Sequence, residues 1–123
     1  MTHHESIRAM YQAFRDRKRA ALEALLAPDY TFASPFGNFV GRDAMLDVIW
    51  PQYLAEENPR WATDIEIFGT GPGYMVRYRH ESDDPSKSGA RLAEFVRFEG
   101  DLVVSVEVYL GTGAIPLPPP PTA

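Results

Sequence analysis

The stretch AEFVRFEGDLVVSVEVYLG, residues 93–111, decides the fold. Two runs of alternating apolar and polar residues flank Glu99-Gly100-Asp101, the pattern of an antiparallel hairpin with a tight turn. Read as a three-residue loop with Gly100 as the bulge residue, the turn pairs Phe98 with Leu102. Leu92, Glu94, Val96 and Phe98 then share a face with Val104, Val106, Val108 and Leu110. A two-residue loop sets the same valines beside Arg91 and Arg97, because a one-residue slip turns every side chain to the other face. The continuous apolar row favours the first register. Glu94 is its one acidic member.

A lone carboxyl among valines and phenylalanines costs several kcal/mol if it stays ionised and unpaired. Either it has a partner, or desolvation raises its pKa until it is held neutral. The structural reading is a wet sheet face or an arginine partner. The functional reading is a cavity with Glu94 as its polar group.

Upstream, residues 74–80 place Val76, Tyr78 and His80 on one face of a strand and Met75, Arg77 and Arg79 on the other. A further strand is expected over Ala62–Phe68, before the breaker Gly69-Thr70-Gly71-Pro72-Gly73, and the polar loop SDDPSKS precedes residues 89–98. The first half of the chain is helical. Ile7, Met10, Tyr11 and Phe14 mark one face of a helix over residues 5–15, capped by Ser6 or Thr2. A short second helix carries Leu22, Leu25 and Leu26 and ends at Pro28. Tyr30 to Ser34 reads as a strand, with Tyr30, Phe32 and Ser34 on one face, followed by a turn region. The third helix starts after Gly41, with Met45, Val48 and Ile49 inward, and Pro51 kinks or ends it. Three helices with one early strand, then four consecutive strands, indicate an α+β fold with helices on one face of an antiparallel sheet.

The totals narrow the function. The chain has 123 residues, a net charge of -5 and no cysteine. One domain over residues 1–111 fits that length. The tail IPLPPPPTA holds five of the eleven prolines and is expected to be a disordered or polyproline II segment over residues 112–123. The acidic balance argues against nucleic acid and against an anionic membrane as partners. No signal-peptide pattern opens the chain, so a cytoplasmic location is expected. Without cysteine there is no thiolate nucleophile, and no histidine or acid spacing suits a metal, so neither metal nor cofactor is expected. His3 and His4 read as a frayed terminus.

The opposite face of the last hairpin carries Phe95, Arg97, Val103, Ser105, Glu107 and Tyr109, a mixture that suits a homodimer interface. The inner face, with the helices, is expected to enclose a pocket for a small apolar molecule. Phe14, Phe32, Phe36, Trp50, Val76, Tyr78, Val106, Val108 and Leu110 are its candidate walls, with Trp61 and Tyr53 as a lid. His80, at the rim, is the candidate acid or base at neutral pH.

Four segments carry a family resemblance: YQAF in the first helix, ALLAPDYTFASPFG, GRDAMLDVI in the third helix, and the closing hairpin. Together they resemble the NTF2-like superfamily, in its SnoaL-like and ketosteroid-isomerase-like branch. The resemblance implies a cystatin-like cone of curved sheet wrapped by three helices, with a pocket inside and dimers through the outer sheet face. In ketosteroid isomerases a tyrosine and a neutral carboxylic acid form an oxyanion hole; by similarity these positions are Tyr11 and Glu94. The family's aspartate base falls at Ser34, and a serine does not abstract a proton unaided. Three readings follow. One is an isomerase- or cyclase-like enzyme acting on a cyclic ketone, polyketide or terpenoid through Tyr11 and Glu94, with His80 or a substrate group as base. The second is a non-catalytic binding module that takes up a similar apolar ligand or serves as a dimeric accessory module. The third is that Tyr11 and Glu94 simply hydrogen-bond each other as a satisfied core pair.

Overall fold

The computed structural model describes residues 1–35 and 37–111. Its elements follow the order α1 (His3–Arg15), α2 (Arg19–Glu23), β1 (Leu26–Ser34), β2 (Gly37–Val40), α3 (Arg42–Ala55), β3 (Trp61–Thr70), β4 (Gly73–Glu81), β5 (Arg91–Glu99) and β6 (Leu102–Leu110). The strands form one sheet in the order β2-β1-β6-β5-β4-β3. Three helices pack on this open, curved sheet, an α+β cone. The sheet is mixed rather than antiparallel throughout, because β1 runs parallel to β6. A parallel neighbour needs a long crossover, and everything between β1 and β6 supplies one. The proline-rich tail and Phe36 lie outside the described residues.

Ile7 and Met10 of α1, Leu22 of α2 and Leu46 of α3 meet Val76, Val96, Val103 and Val106 of the sheet in one core. Thr2, and not Ser6, caps α1, in a capping box closed by Glu5. The terminus is not frayed at His3. Its ring stacks on Phe98 at 3.9 Å, and its nitrogens lie 3.1 Å from the carbonyl of Gly71 and 2.8 Å from that of Gly100. Among the helices, α3 buries Met45, Leu46 and Trp50, while Val48 is 47% exposed and faces away from the core. Pro51 lies within α3, which continues to Ala55.

Pro28 does not end the second helix, which stops at Glu23; it lies inside β1. Between Leu26 and Thr31 the pairing of β1 with β6 is irregular, so the missing N–H of Pro28 is tolerated there. The short edge strand β2 occupies the expected turn region and pairs Phe39 with Phe32. It was hidden because Phe39 is its only half-buried residue.

The closing hairpin resolves its register in an unexpected way. Glu99 pairs with Leu102 and Phe98 with Val103, so the turn has two residues, Gly100 and Asp101. Gly100 has φ +61, a conformation that suits glycine. Val104 is then the extra residue of a bulge between Val103 and Ser105. The pairs Val96–Val106, Glu94–Val108 and Leu92–Leu110 lie two residues on from the register expected with Phe98 opposite Leu102, so Val106, Val108 and Leu110 keep the expected face with different partners. Val103 is therefore corrected from the outer face to the core, where it is fully buried. Among the described residues no helix is long and apolar enough to cross a membrane.

Candidate active site

Between the helices and the inner sheet face lies a cavity of about 260 Å³. Its apolar wall comes from every helix and from β1 and β6, including Met10, Phe14, Leu22, Phe32, Ile49 and Val106. The polar groups of the wall are Tyr11, Tyr30, Tyr53, Arg60, Tyr78, His80 and Glu94.

Strand alternation turns Glu94 inward with Leu92, Val96 and Phe98. The pairing of Val76 with Glu94 and of Tyr78 with Leu92 makes Tyr78 and Glu94 diagonal neighbours on that face. Helical periodicity turns Tyr11 inward one turn after Ile7. The result is a clamp. The Tyr11 hydroxyl donates to Oε2 of Glu94 at 2.7 Å, and the Tyr78 hydroxyl donates to Oε1 at 2.7 Å. Glu94 is only 8% exposed. Burial raises its pKa, and the two phenol hydrogen bonds oppose that rise without cancelling it. Both phenols are pushed upward as well, by burial first and by Glu94 second. Tyr30, also buried, is raised for the same reasons.

His80 lies two residues along β4 from Tyr78, on the same face, with ring centroids 5.6 Å apart. Its pKa falls to about 4, chiefly through burial and then through the positive charge of Arg60. The ring is neutral at physiological pH. Its Nδ1 is buried and has no hydrogen-bond partner among the described residues.

Of the sequence candidates, the cavity brings together Tyr11, Phe14, Phe32, Tyr78, His80, Glu94 and Val106. It does not include Ser34, Trp50, Val76, Val108 or Leu110. Trp50 instead packs behind Phe14 and Tyr53, and Val76 is closed into the core. Val108 pairs with Glu94 beyond the cavity lining, and Leu110 borders a separate groove with Arg91 and Tyr109. Ser34 sits at the β1–β2 turn, where its hydroxyl donates to the carbonyl of Gly37 at 3.0 Å. Tyr53 and Trp61 both join the wall; the Tyr53 hydroxyl donates to the carbonyl of Phe14 at 2.6 Å. Beside apolar core residues such as Met10, Leu22, Met45 and Ile49, two polar wall residues are not among the sequence candidates, Tyr30 and Arg60. Tyr30 was signalled by sharing the strand face of Phe32, whereas Arg60 lies in a connection with no periodicity to mark it.

The sequence profile of the SnoaL-like domain matches residues 7–106. The chain belongs to the SnoaL-like family. No curated protein matches its sequence significantly. Solved structures similar to this SnoaL-like domain include a proposed polyketide cyclase from Pseudomonas putida, 17% identical, with TM-score 0.74 over 93% of this chain and 95% of that one. A proposed ketosteroid isomerase from Kribbella flavida is 18% identical, with TM-score 0.72 over 95% and 83%. An NTF2-like protein of unknown function from Cytophaga hutchinsonii is 14% identical, with TM-score 0.69 over 90% and 91%. At these identities the likeness is one of fold. In this SnoaL-like domain, an apolar cavity ends on a carboxyl held between two phenols, with a neutral imidazole on the same wall. Both phenol protons are donated to Glu94, so the clamp offers a donor to the cavity only when Glu94 is itself protonated.

Proposed function

We propose that this protein binds a small apolar ring compound in the cavity and acts on it as an isomerase- or cyclase-type enzyme through an enolate. The observation that carries this reading is the buried Glu94 carboxyl between Tyr11 and Tyr78 at the inner wall. A cavity of about 260 Å³ is slightly below the range of drug-sized pockets, roughly 300–1,000 Å³, which favours a ligand of one or two rings.

With Glu94 protonated, its proton is donated to one phenol oxygen, and that phenol's own proton is free for a ligand carbonyl. His80, already neutral, takes a proton from the carbon beside the carbonyl. The C–H electron pair moves into the enolate, whose oxygen is held by the phenol donor, and the proton returns to carbon. Each well-aimed donor in such a dry site contributes about 3–4 kcal/mol to lowering the barrier. The homodimer through Phe95, Arg97, Glu107 and Tyr109 is part of the same proposal; Tyr109 is 49% exposed, as an interface residue is before assembly.

Ser34 favours a second reading, non-catalytic binding, because the serine at the relatives' base position is engaged in its own turn. Proton exchange separates the two. Tetralone incubated with the protein in D₂O exchanges its α-protons faster than in buffer if the enzyme reading is right, and His80→Gln slows that exchange. Tetralone that binds without accelerated exchange supports the second reading.

A further inference from the structure

We propose that Arg60 forms an anion-binding subsite at the mouth of the cavity, and that the natural ligand is therefore a ring compound carrying a carboxylate. This rests on the ligand-binding reading above and narrows its substrate class.

The polar groups of the cavity are graded from inside to outside. Glu94 is buried at the inner end, His80 is half-buried two residues along β4, and Arg60 is a half-buried residue just before β3. Arg60 is held in place from its own backbone outward. Its Nε donates to the carbonyl of Lys87 at 3.1 Å, while the Lys87 ammonium and the Ser82 hydroxyl both donate to the carbonyl of Asn58, at 3.1 and 3.0 Å. The loop of residues 82–88 and the segment before β3 thus fix the guanidinium over the cavity. Its two terminal amino groups make no hydrogen bond or ion pair among the described residues. By contrast, Arg19, Arg42, Arg77 and Arg79 all have carboxylate partners.

A half-buried guanidinium with a fixed Nε and free terminal donors presents the planar fork that a carboxylate matches. A second orphan lies on the same wall, the buried Nδ1 of His80. A carboxylate seated on Arg60 would also shield the imidazole from the positive charge it now feels. The surroundings agree in sign. Arg15 stacks over Trp61 at 5.0 Å and Arg17 over Tyr53 at 6.0 Å, and neither has a carboxylate within salt-bridge distance among the described residues. Two acids are felt at this end, Asp84 by Arg60 itself and Glu56 by Tyr53, and neither lies within salt-bridge distance of Arg60 among the described residues. A chain of net charge -5 therefore gathers arginines around the opening of one cavity. Cavity walls of low dielectric focus such a field on an incoming anion.

The test compares naphthol with hydroxynaphthoate, the same ring with an added carboxylate, by quenching of tryptophan fluorescence. The wild type is expected to bind hydroxynaphthoate about tenfold or more tightly than naphthol. Arg60→Gln brings that ratio to about one, and Arg60→Lys, which keeps the charge but not the fork, gives an intermediate ratio. A wild-type protein that binds naphthol with no preference for hydroxynaphthoate overturns the subsite and leaves the ligand-binding reading standing. So does a ratio that survives in Arg60→Gln. Failure to bind either ring compound overturns both. A variant that fails to fold loses both ligands and its cooperative thermal transition; the Arg60→Lys ratio then decides, and one equal to wild type counts against the fork.

Discussion

The hydroxyl of Tyr78 lies 2.7 Å from Oε1 of Glu94, facing the equal bond that Tyr11 makes to Oε2. A strand and a helix each deliver a donor to a carboxyl that has left water. Either phenol can be lost with the other still in place, so Tyr11→Phe and Tyr78→Phe are each expected to cost about 1–3 kcal/mol. The double substitution leaves the buried carboxyl with neither phenol donor and is expected to cost more than the sum of the two. Urea unfolding of the three variants measures the coupling. Additive costs would mean that the two phenols act independently of each other.

The two buried titrating groups pull stability in opposite directions with pH. Glu94 is held above its ordinary value of 4.5, so the folded protein keeps a proton that the unfolded chain has lost. Its contribution is complete below pH 4.5 and is lost as pH rises through the folded value. His80 is lowered from 6.5 to about 4. Its contribution is complete above pH 6.5 and is lost as pH falls towards 4. Unfolding free energies across this range are expected to show Glu94→Gln flattening the decline on the rising side, and His80→Gln flattening the loss on the acid side. A wild-type profile unchanged by either substitution would contradict the burial of these groups.

Neighbouring residues of α3 separate core from cavity. Leu46 is fully buried, and Leu46→Ala is expected to cost about 2–5 kcal/mol. Ile49 faces the cavity, where its removal enlarges a space that already exists, so Ile49→Ala should cost less and shift the preferred ligand towards larger rings. Denaturation and a naphthol-to-anthrol series read the two effects separately.

Much of this was legible in the sequence because periodicity and burial agree. The alternation of Leu92, Glu94, Val96 and Phe98 marked Glu94 as an acid on an apolar face, and the helix face of Ile7, Met10 and Tyr11 pointed its phenol the same way. The end of the hairpin was not legible, since a two-residue turn corrected by a bulge at Val104 leaves nearly the same pattern as a three-residue loop. The parallel pairing of β1 with β6 is a long-range choice that no local pattern carries. His3 was misread because a polar residue near a terminus gives no sign that two distant turns will converge on it. At the site, Tyr78 was expected as a wall and is also the second donor to Glu94. Arg60 had no regular element to reveal it.

We propose that Tyr11, Tyr78 and Glu94 together hold an oxyanion, and the absorbance spectrum of bound naphthol reports such an ion. At about pH 7 free naphthol is neutral. Naphthol bound to the wild type is expected to show the spectrum of the ionised form to a measurable extent, and Glu94→Gln and the Tyr11→Phe/Tyr78→Phe double variant are expected to reduce it. Bound naphthol with a purely neutral spectrum, or a spectrum indifferent to both substitutions, would rule out an oxyanion site at these three residues.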